Sequence, residues 1–235
     1  MTLPYIPQLA SALSTTETSL FLPTLSSSYL GYGIGSLEKD ADELLGLIQT
    51  LPSSRKVVVM GHSTGAQGAV SLLRRAKAQE RVAGVILQAG ISDADHYQYS
   101  EPRATEWIEL AKTLPPDTLM PREADPCGLG NPITAFRFLS LAEKGGGDDF
   151  FGSQYSDDEL KGLLGHISPP CLVLWSGSDE YVPAGVNGKE LSRRIASAMP
   201  QGTCAYINEG KHNLEGKEVE LAEHVRSFLQ SVLGS

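Results

Sequence analysis

The sequence predicts a doubly wound, mostly parallel α/β sheet, and two observations predict it. Short, β-branched apolar runs recur along the chain, bounded by Gly, Pro or polar turn residues. Between them lie stretches whose apolar residues repeat at helical spacing. Strands that alternate with helices fold as right-handed βαβ units, and runs that are apolar without alternation suit strands covered on both faces.

In chain order, Pro4 and Pro7 mark the opening of a helix, and Ser19-Leu20-Phe21-Leu22 is a candidate strand. Ser36 is a fitting N-cap for a helix from Leu37 to Leu51, with Leu37, Leu44, Leu47, Ile48 and Leu51 at helical spacing. The strand Lys56–Met60 follows, then a helix over Gly65–Gln79 and the strand Val82–Gln88. After a long excursion come the strand Cys171–Trp175, a helix over Gly188–Met199, the strand Thr203–Ile207 and a last helix over Lys217–Leu233. The excursion, residues 92–165, holds a helix near Pro102–Thr113, a proline-rich turn, the aromatic segment Phe136–Leu141 and a capped helix from Ser156. A long excursion between two core strands is usually functional. Residues 1–235 are therefore read as one domain, with 92–165 inserted in it as a cap over the strand ends.

Composition narrows the function classes. Lys and Arg number 19 against 28 Asp and Glu, for a net charge of −9 and a pI near 5.0 in 25.2 kDa. That excludes nucleic acid and anionic membrane surfaces as the main partner, because phosphates demand a positive field. The three cysteines, Cys127, Cys171 and Cys204, are odd in number and lack CxxC spacing, which argues against a disulfide framework and for a reducing, cytoplasmic setting. No apolar run approaches the ~20 residues that span a bilayer, and the start of the chain lacks the basic flank of a signal peptide.

The strongest local signal is Gly61-His62-Ser63-Thr64-Gly65, directly after a strand and opening a helix. This is the setting of a nucleophile elbow, a strained turn that exposes a serine hydroxyl at a helix N-terminus. A side chain at Gly61 or Gly65 is expected to collide with its neighbours. The Thr64 N–H is the first oxyanion donor this turn supplies.

A serine needs a base, and the base an orienting acid. Asp179 follows the strand Cys171–Trp175 and His212 follows Thr203–Ile207, so both stand at the sheet edge that carries Ser63. Glu180 and Asp93 compete as the acid, and Asp179 could instead cap the turn before Val182-Pro183. His62 is locked in the elbow, His224 lies on the last helix, and His96 and His166 lie in the cap region. No metal or cofactor is expected. H-E-x-x-H is absent, Gly31-Tyr32-Gly33-Ile34-Gly35 fits no phosphate-binding fingerprint, and Gly145-Gly146-Gly147-Asp148-Asp149 reads as a mobile, solvated loop.

These motifs together resemble the α/β-hydrolase superfamily and, within it, a mainly fungal and plant family known as DUF1749. The likeness runs through Leu25-Ser26-Ser27-Ser28-Tyr29, Gly31-Tyr32-Gly33, Met60 to Gly65, and Gln88-Ala89 with Ser92-Asp93. It continues in Phe136 to Leu141, Gly146 to Phe151 and Ser176 to Pro183. The resemblance implies a serine esterase with Ser63, Asp179 and His212 as triad, acting on a small-molecule ester. Its sharpest substrate is a hydroxamate siderophore of the fusarinine type, opened inside the cell. Tyr97, Trp107, Phe136 and Phe151 of the cap are expected to shape an acyl or hydroxamate pocket.

Family members carry a G-G-L-x-D-G segment ahead of the helix that here starts near Pro4. By this likeness the sheet is N-terminally shortened, lacks the second oxyanion donor, and is open between Ser19–Leu22 and Lys56–Met60. The alternative function is a catalytically inactive hydrolase-fold binding or scaffold protein, or a truncated gene product.

Overall fold

A computed structural model describes residues 3–14, 16–126 and 130–234, apart from the side chain of Leu30. Cys127 and its expected free thiol lie outside these residues. The sheet has four strands in the order β1-β2-β3-β4: Val57–His62, Val82–Gln88, Cys171–Ser176 and Gly202–Ile207. All three pairings are parallel, and the register sets His62 beside Gln88, and Ser176 beside Ile207. The carboxyl ends of all four strands thus meet along one edge, where open α/β sheets bind ligands.

The unalternated apolar runs have their cause in two buried faces. Val85 and Leu87 of β2 and Cys171, Val173 and Trp175 of β3 face one core, shared with the helices α2 (Leu37–Thr50), α3 (Thr64–Leu72), α8 (Asp157–Leu164) and α9 (Gly188–Ser197). The intervening Ile86, Leu172 and Leu174 face a second core, closed by α1 (Ile6–Leu13) and α10 (Glu218–Leu233). Successive strand residues point to opposite sides, so a strand covered on both must be apolar throughout. Local signals set the helix starts as expected. Ser36 accepts from the Lys39 N–H, a proline stands in the first turn of α1, and Ser156 with Glu159 forms a full capping box.

Three expectations are corrected. Ser19–Leu22 is not a strand: Leu20, Phe21 and Leu22 are exposed and β1 is the end strand of the sheet, so no open ladder stands between two inner edges. Its apolar run lacks a neighbour to pair with, and an unpaired run has no strand to form. The helix expected over Gly65–Gln79 breaks into α3 and α4 (Ala76–Gln79). Arg75 there turns extended and its guanidinium reaches Asp42, the Ser71 carbonyl and the Glu38 carbonyl, a tertiary demand that overrides helix propensity. The acidic end of Gly145–Asp149 is no solvated loop. Asp148 and Asp149 are buried, and Asp149 accepts from Ser92 Oγ, Tyr155 Oη and the Gly145 N–H.

Residues 92–165 contain α5 (Asp93–Ser100), α6 (Ala104–Thr113), α7 (Ala135–Ala142) and α8, with a lone antiparallel bridge between Leu119 and Thr134. The first three helices enclose a cluster of their own around Tyr97, Trp107 and Phe138. Leu160 and Leu164 of α8 return to the main core. Among the described residues no helix is long and apolar enough to cross a membrane.

Candidate active site

β1 ends at His62 and α3 begins at Thr64, so Ser63 alone makes the turn. Its φ of 53° and ψ of −126° lie in a region that side chains rarely adopt, and such strain in a strand-to-helix turn projects the side chain outward. A Cβ at Gly61 would stand 2.1 Å from the Gly65 carbonyl oxygen, so only glycine fits there. The collision expected at Gly65 does not occur: a Cβ there meets nothing within 4 Å, because the turn folds the Gly65 carbonyl over Gly61 and leaves the outer side open. The turn is pinned by the Ser63 N–H donating to the Gln88 carbonyl at 3.0 Å and the Ala66 N–H donating to the Ser63 carbonyl at 2.7 Å. Thr64 is the first residue of α3, so its N–H has no intrahelical acceptor and faces the N-terminal end of the helix dipole.

The acid and base meet on the loops after β3 and β4. His212 Nδ1 lies 2.8 Å from Asp179 Oδ2 and 3.0 Å from Oδ1. Asp179 is buried and also accepts the Tyr181 N–H at 3.1 Å, so the turn-capping role and the histidine-holding role coexist in one carboxylate. Glu180 takes a third part: its Oε2 accepts the His212 backbone N–H at 2.9 Å. The two loops are laced by Gly177 N–H to Ile207 O at 2.9 Å and Ser178 N–H to Gly210 O at 2.8 Å. The ring of His212 packs edge-on between those of His62 and Tyr181, with centroids 4.9 and 4.7 Å away. Asp179 and His212 are therefore brought together, and Ser63 stands next to the His62 ring that touches His212. No direct hydrogen bond joins Ser63 to His212 among the described residues.

Asp93, the competing acid, is bonded instead by Gln67 Nε2 at 3.0 Å. Burial pushes its carboxyl up to about 7, with the charges of Asp148 and Asp149 adding and Arg137 and His212 opposing. A carboxyl raised on folding holds its proton in the native state after the unfolded chain has lost it, so stability falls as pH rises from about 4 to about 7. Asp93→Asn keeps the acceptor for Gln67 and removes this penalty. Discounted for the half-buried position of Asp93, the variant should be more stable than the parent by about 1–2 kcal/mol at pH 8. The two should converge below about pH 4, as calorimetry at the two pH values would read. An equal difference at both would sink the assignment.

Burial likewise lowers His62, to about 4, so this ring is neutral at physiological pH. Among the described residues no group of three or more His, Cys, Asp or Glu is arranged to hold a metal ion.

The aromatic residues Tyr97, Trp107, Phe136 and Phe151 do not line one pocket, and of the four Phe151 borders the cavity beside Tyr181. Tyr97 and Trp107 are buried in the core of the excursion and Phe151 in the main core, which leaves Phe136 alone exposed. Aromatic bulk was drawn inward by the need to fill those cores. Tyr181 and Gln88 fall within motifs that carry the family likeness, but neither is marked there as a site residue. Tyr181 carried no signal beyond its place after Asp179-Glu180, whereas Gln88 is a polar residue closing an otherwise apolar strand, and that could have singled it out.

Comparisons with known proteins fit this geometry. A family described as "Protein of unknown function (DUF1749)" matches residues 1–232. Among curated proteins, the Fusarinine C esterase sidJ of Aspergillus fumigatus is 31% identical, over 86% of this chain and 74% of its own. Esterase AN6793 of Emericella nidulans is 28% identical, over 99% of this chain and 83% of its own. Among solved structures, the siderophore hydrolase EstB of Aspergillus fumigatus superposes with a TM-score of 0.79 at 28% identity, covering 97% of this chain and 85% of that one. Est1E of Butyrivibrio proteoclasticus, at 13% identity and a TM-score of 0.64, shares the fold. With the strand-to-helix serine turn and the carboxyl-edge loops in place, the chain belongs to the DUF1749 family and has the α/β-hydrolase fold of the esterases it resembles.

Proposed function

We propose that this carboxylic ester hydrolase works through Ser63, His212 and Asp179 as a catalytic triad, with the Thr64 N–H as an oxyanion donor. The observation that carries the reading is the Asp179–His212 bond of 2.8 Å on loops at the sheet edge that bears the strained Ser63. Asp179 accepts from Nδ1, which leaves Nε2 as the basic nitrogen of the ring. In the first step Ser63 Oγ bonds to the ester carbonyl carbon and its proton passes to His212 Nε2. The oxyanion gathers at the Thr64 N–H and the start of α3. Collapse breaks the C–O bond to the alcohol, which leaves with the proton from Nε2. Water then enters, gives a proton to His212, cleaves the acyl–serine ester and restores Ser63 Oγ–H.

We further propose a siderophore ester as substrate, on the likeness to the Fusarinine C esterase and the siderophore hydrolase, and residues 92–165 as the cap beside the site. The free thiols of Cys171 and Cys204 support a reducing, intracellular setting. A fluorophosphonate probe should label Ser63 covalently, as peptide mapping would locate, and the label should block hydrolysis of p-nitrophenyl esters. Folded protein that takes no label and turns over no ester would instead support the non-catalytic binding reading.

A further inference from the structure

We infer that Gln88 is a positioning residue that registers the nucleophile against the base, an inference that rests on the triad reading above. Gln88 closes β2 and is fully buried. A buried amide must satisfy two donors and a carbonyl oxygen, and here every one is used. Nε2 donates to the His212 backbone carbonyl at 3.3 Å and to Ser176 Oγ at 3.2 Å. Oε1 accepts from Tyr5 Oη at 3.3 Å and from His62 Nδ1.

The orientation is forced. A backbone carbonyl can only accept, so the amide nitrogen must face His212 and the amide oxygen must face His62. The neutral His62 ring must then carry its proton on Nδ1. With that tautomer fixed, the ring lies edge-on to His212, at 4.9 Å, and Tyr5 closes the far side with centroids 6.2 Å apart. The main chain of Gln88 completes the link, since its carbonyl accepts the Ser63 N–H at 3.0 Å.

One residue therefore holds the serine turn by its backbone and both the preceding histidine and the base-bearing loop by its side chain. Nothing else in the described structure bonds to Ser63 and His212 at once. Ser176 anchors the same amide to the strand that leads to Asp179, so the three loops share one reference point. Because a misplacement of ~1 Å between reacting groups can cost ~10²-fold in rate, this bracket bears on turnover rather than on substrate binding.

The test compares Gln88→Met, which keeps length and burial but removes all four side-chain hydrogen bonds, with the parent and with Ser63→Ala. For Gln88→Met, kcat on a p-nitrophenyl ester should fall about 10–100-fold while KM stays within about threefold, and fluorophosphonate labelling should slow in proportion. The ¹⁵N shifts of His62 should move from a pure Nδ1–H tautomer in the parent to a mixture in the variant. A folded Gln88→Met with kcat within twofold of the parent, or with KM rising as much as kcat falls, overturns the inference. If Gln88→Met does not fold, His62→Phe, which keeps the ring contact and deletes the bond to Oε1, decides by the same kcat and KM criteria. Should Ser63→Ala retain parental turnover, the triad reading itself fails; a dead Ser63→Ala beside a fully active Gln88→Met overturns this inference alone.

Discussion

Asp179→Asn should lower kcat for ester hydrolysis by about 10³–10⁴-fold while leaving the fold intact. The carboxylate accepts from His212 Nδ1 through both oxygens, at 2.8 and 3.0 Å, and so leaves the other ring nitrogen as the base that the proposed triad requires. An asparagine amide can turn an N–H toward Nδ1 and stabilise the opposite tautomer, which presents a donor where a base is needed. It also removes the negative charge that stabilises the imidazolium formed during attack. The Tyr181 N–H keeps an acceptor in the variant, so the loop should hold. Steady-state kinetics beside thermal unfolding would read both parts. A decrease of less than tenfold in a normally folded variant would remove Asp179 from the triad and direct attention to Glu180, whose contact is with the His212 backbone.

The largest effect on stability is expected at Arg137. Its guanidinium and the Asp148 carboxylate form a 2.6 Å ion pair whose side chains are 3% and 1% exposed. Arg137 Nε also donates to the Tyr32 carbonyl at 3.2 Å, and Ser140 Oγ donates to the same Asp148 oxygen at 2.6 Å. Among the described residues the second Asp148 oxygen has no hydrogen-bond partner, so the carboxylate depends heavily on the cation. Arg137→Leu should destabilise by about 3–5 kcal/mol, because it leaves a buried charge without a partner. Arg137→Leu combined with Asp148→Leu should recover a large part of that loss, since no unpaired charge remains. Denaturant unfolding of the two variants measures the difference. A single variant within about 1 kcal/mol of the parent, against that expectation, would show that the pair carries little of the stability.

How much of this was legible in the sequence differs from element to element. The four strands are legible to within about two residues of their ends, because short apolar runs bounded by turn residues carry no helical periodicity, although only the inner β2 and β3 are buried on both faces while the end strands β1 and β4 are partly exposed. Ser36 and Ser156 were legible as helix caps, since a cap is a bond between neighbours in the chain. Ser19–Leu22 has the composition of a strand and failed because a strand exists only in a pair. The acidic pair after Gly147 read as solvated because Asp148 shows its arginine, eleven positions back, only when the chain folds. Tyr97 and Trp107 read as pocket walls for a related reason: aromatic residues suit pockets and cores alike, and only packing separates the two.

By itself the sequence determined the alternation of strands and helices, the serine turn that Gly61 permits, and the chain order of Ser63, Asp179 and His212. These follow from short-range steric rules and from hydrophobic periodicity, which act within a few residues. The tertiary structure decided which carboxylate holds His212, and that Glu180 bonds its backbone and not its ring. It also decided that Gln88 brackets the site and that Arg137 and Asp148 are buried together. Each of those choices is a hydrogen bond or ion pair between residues far apart in the chain, whose value depends on the exclusion of water that only the packed fold provides.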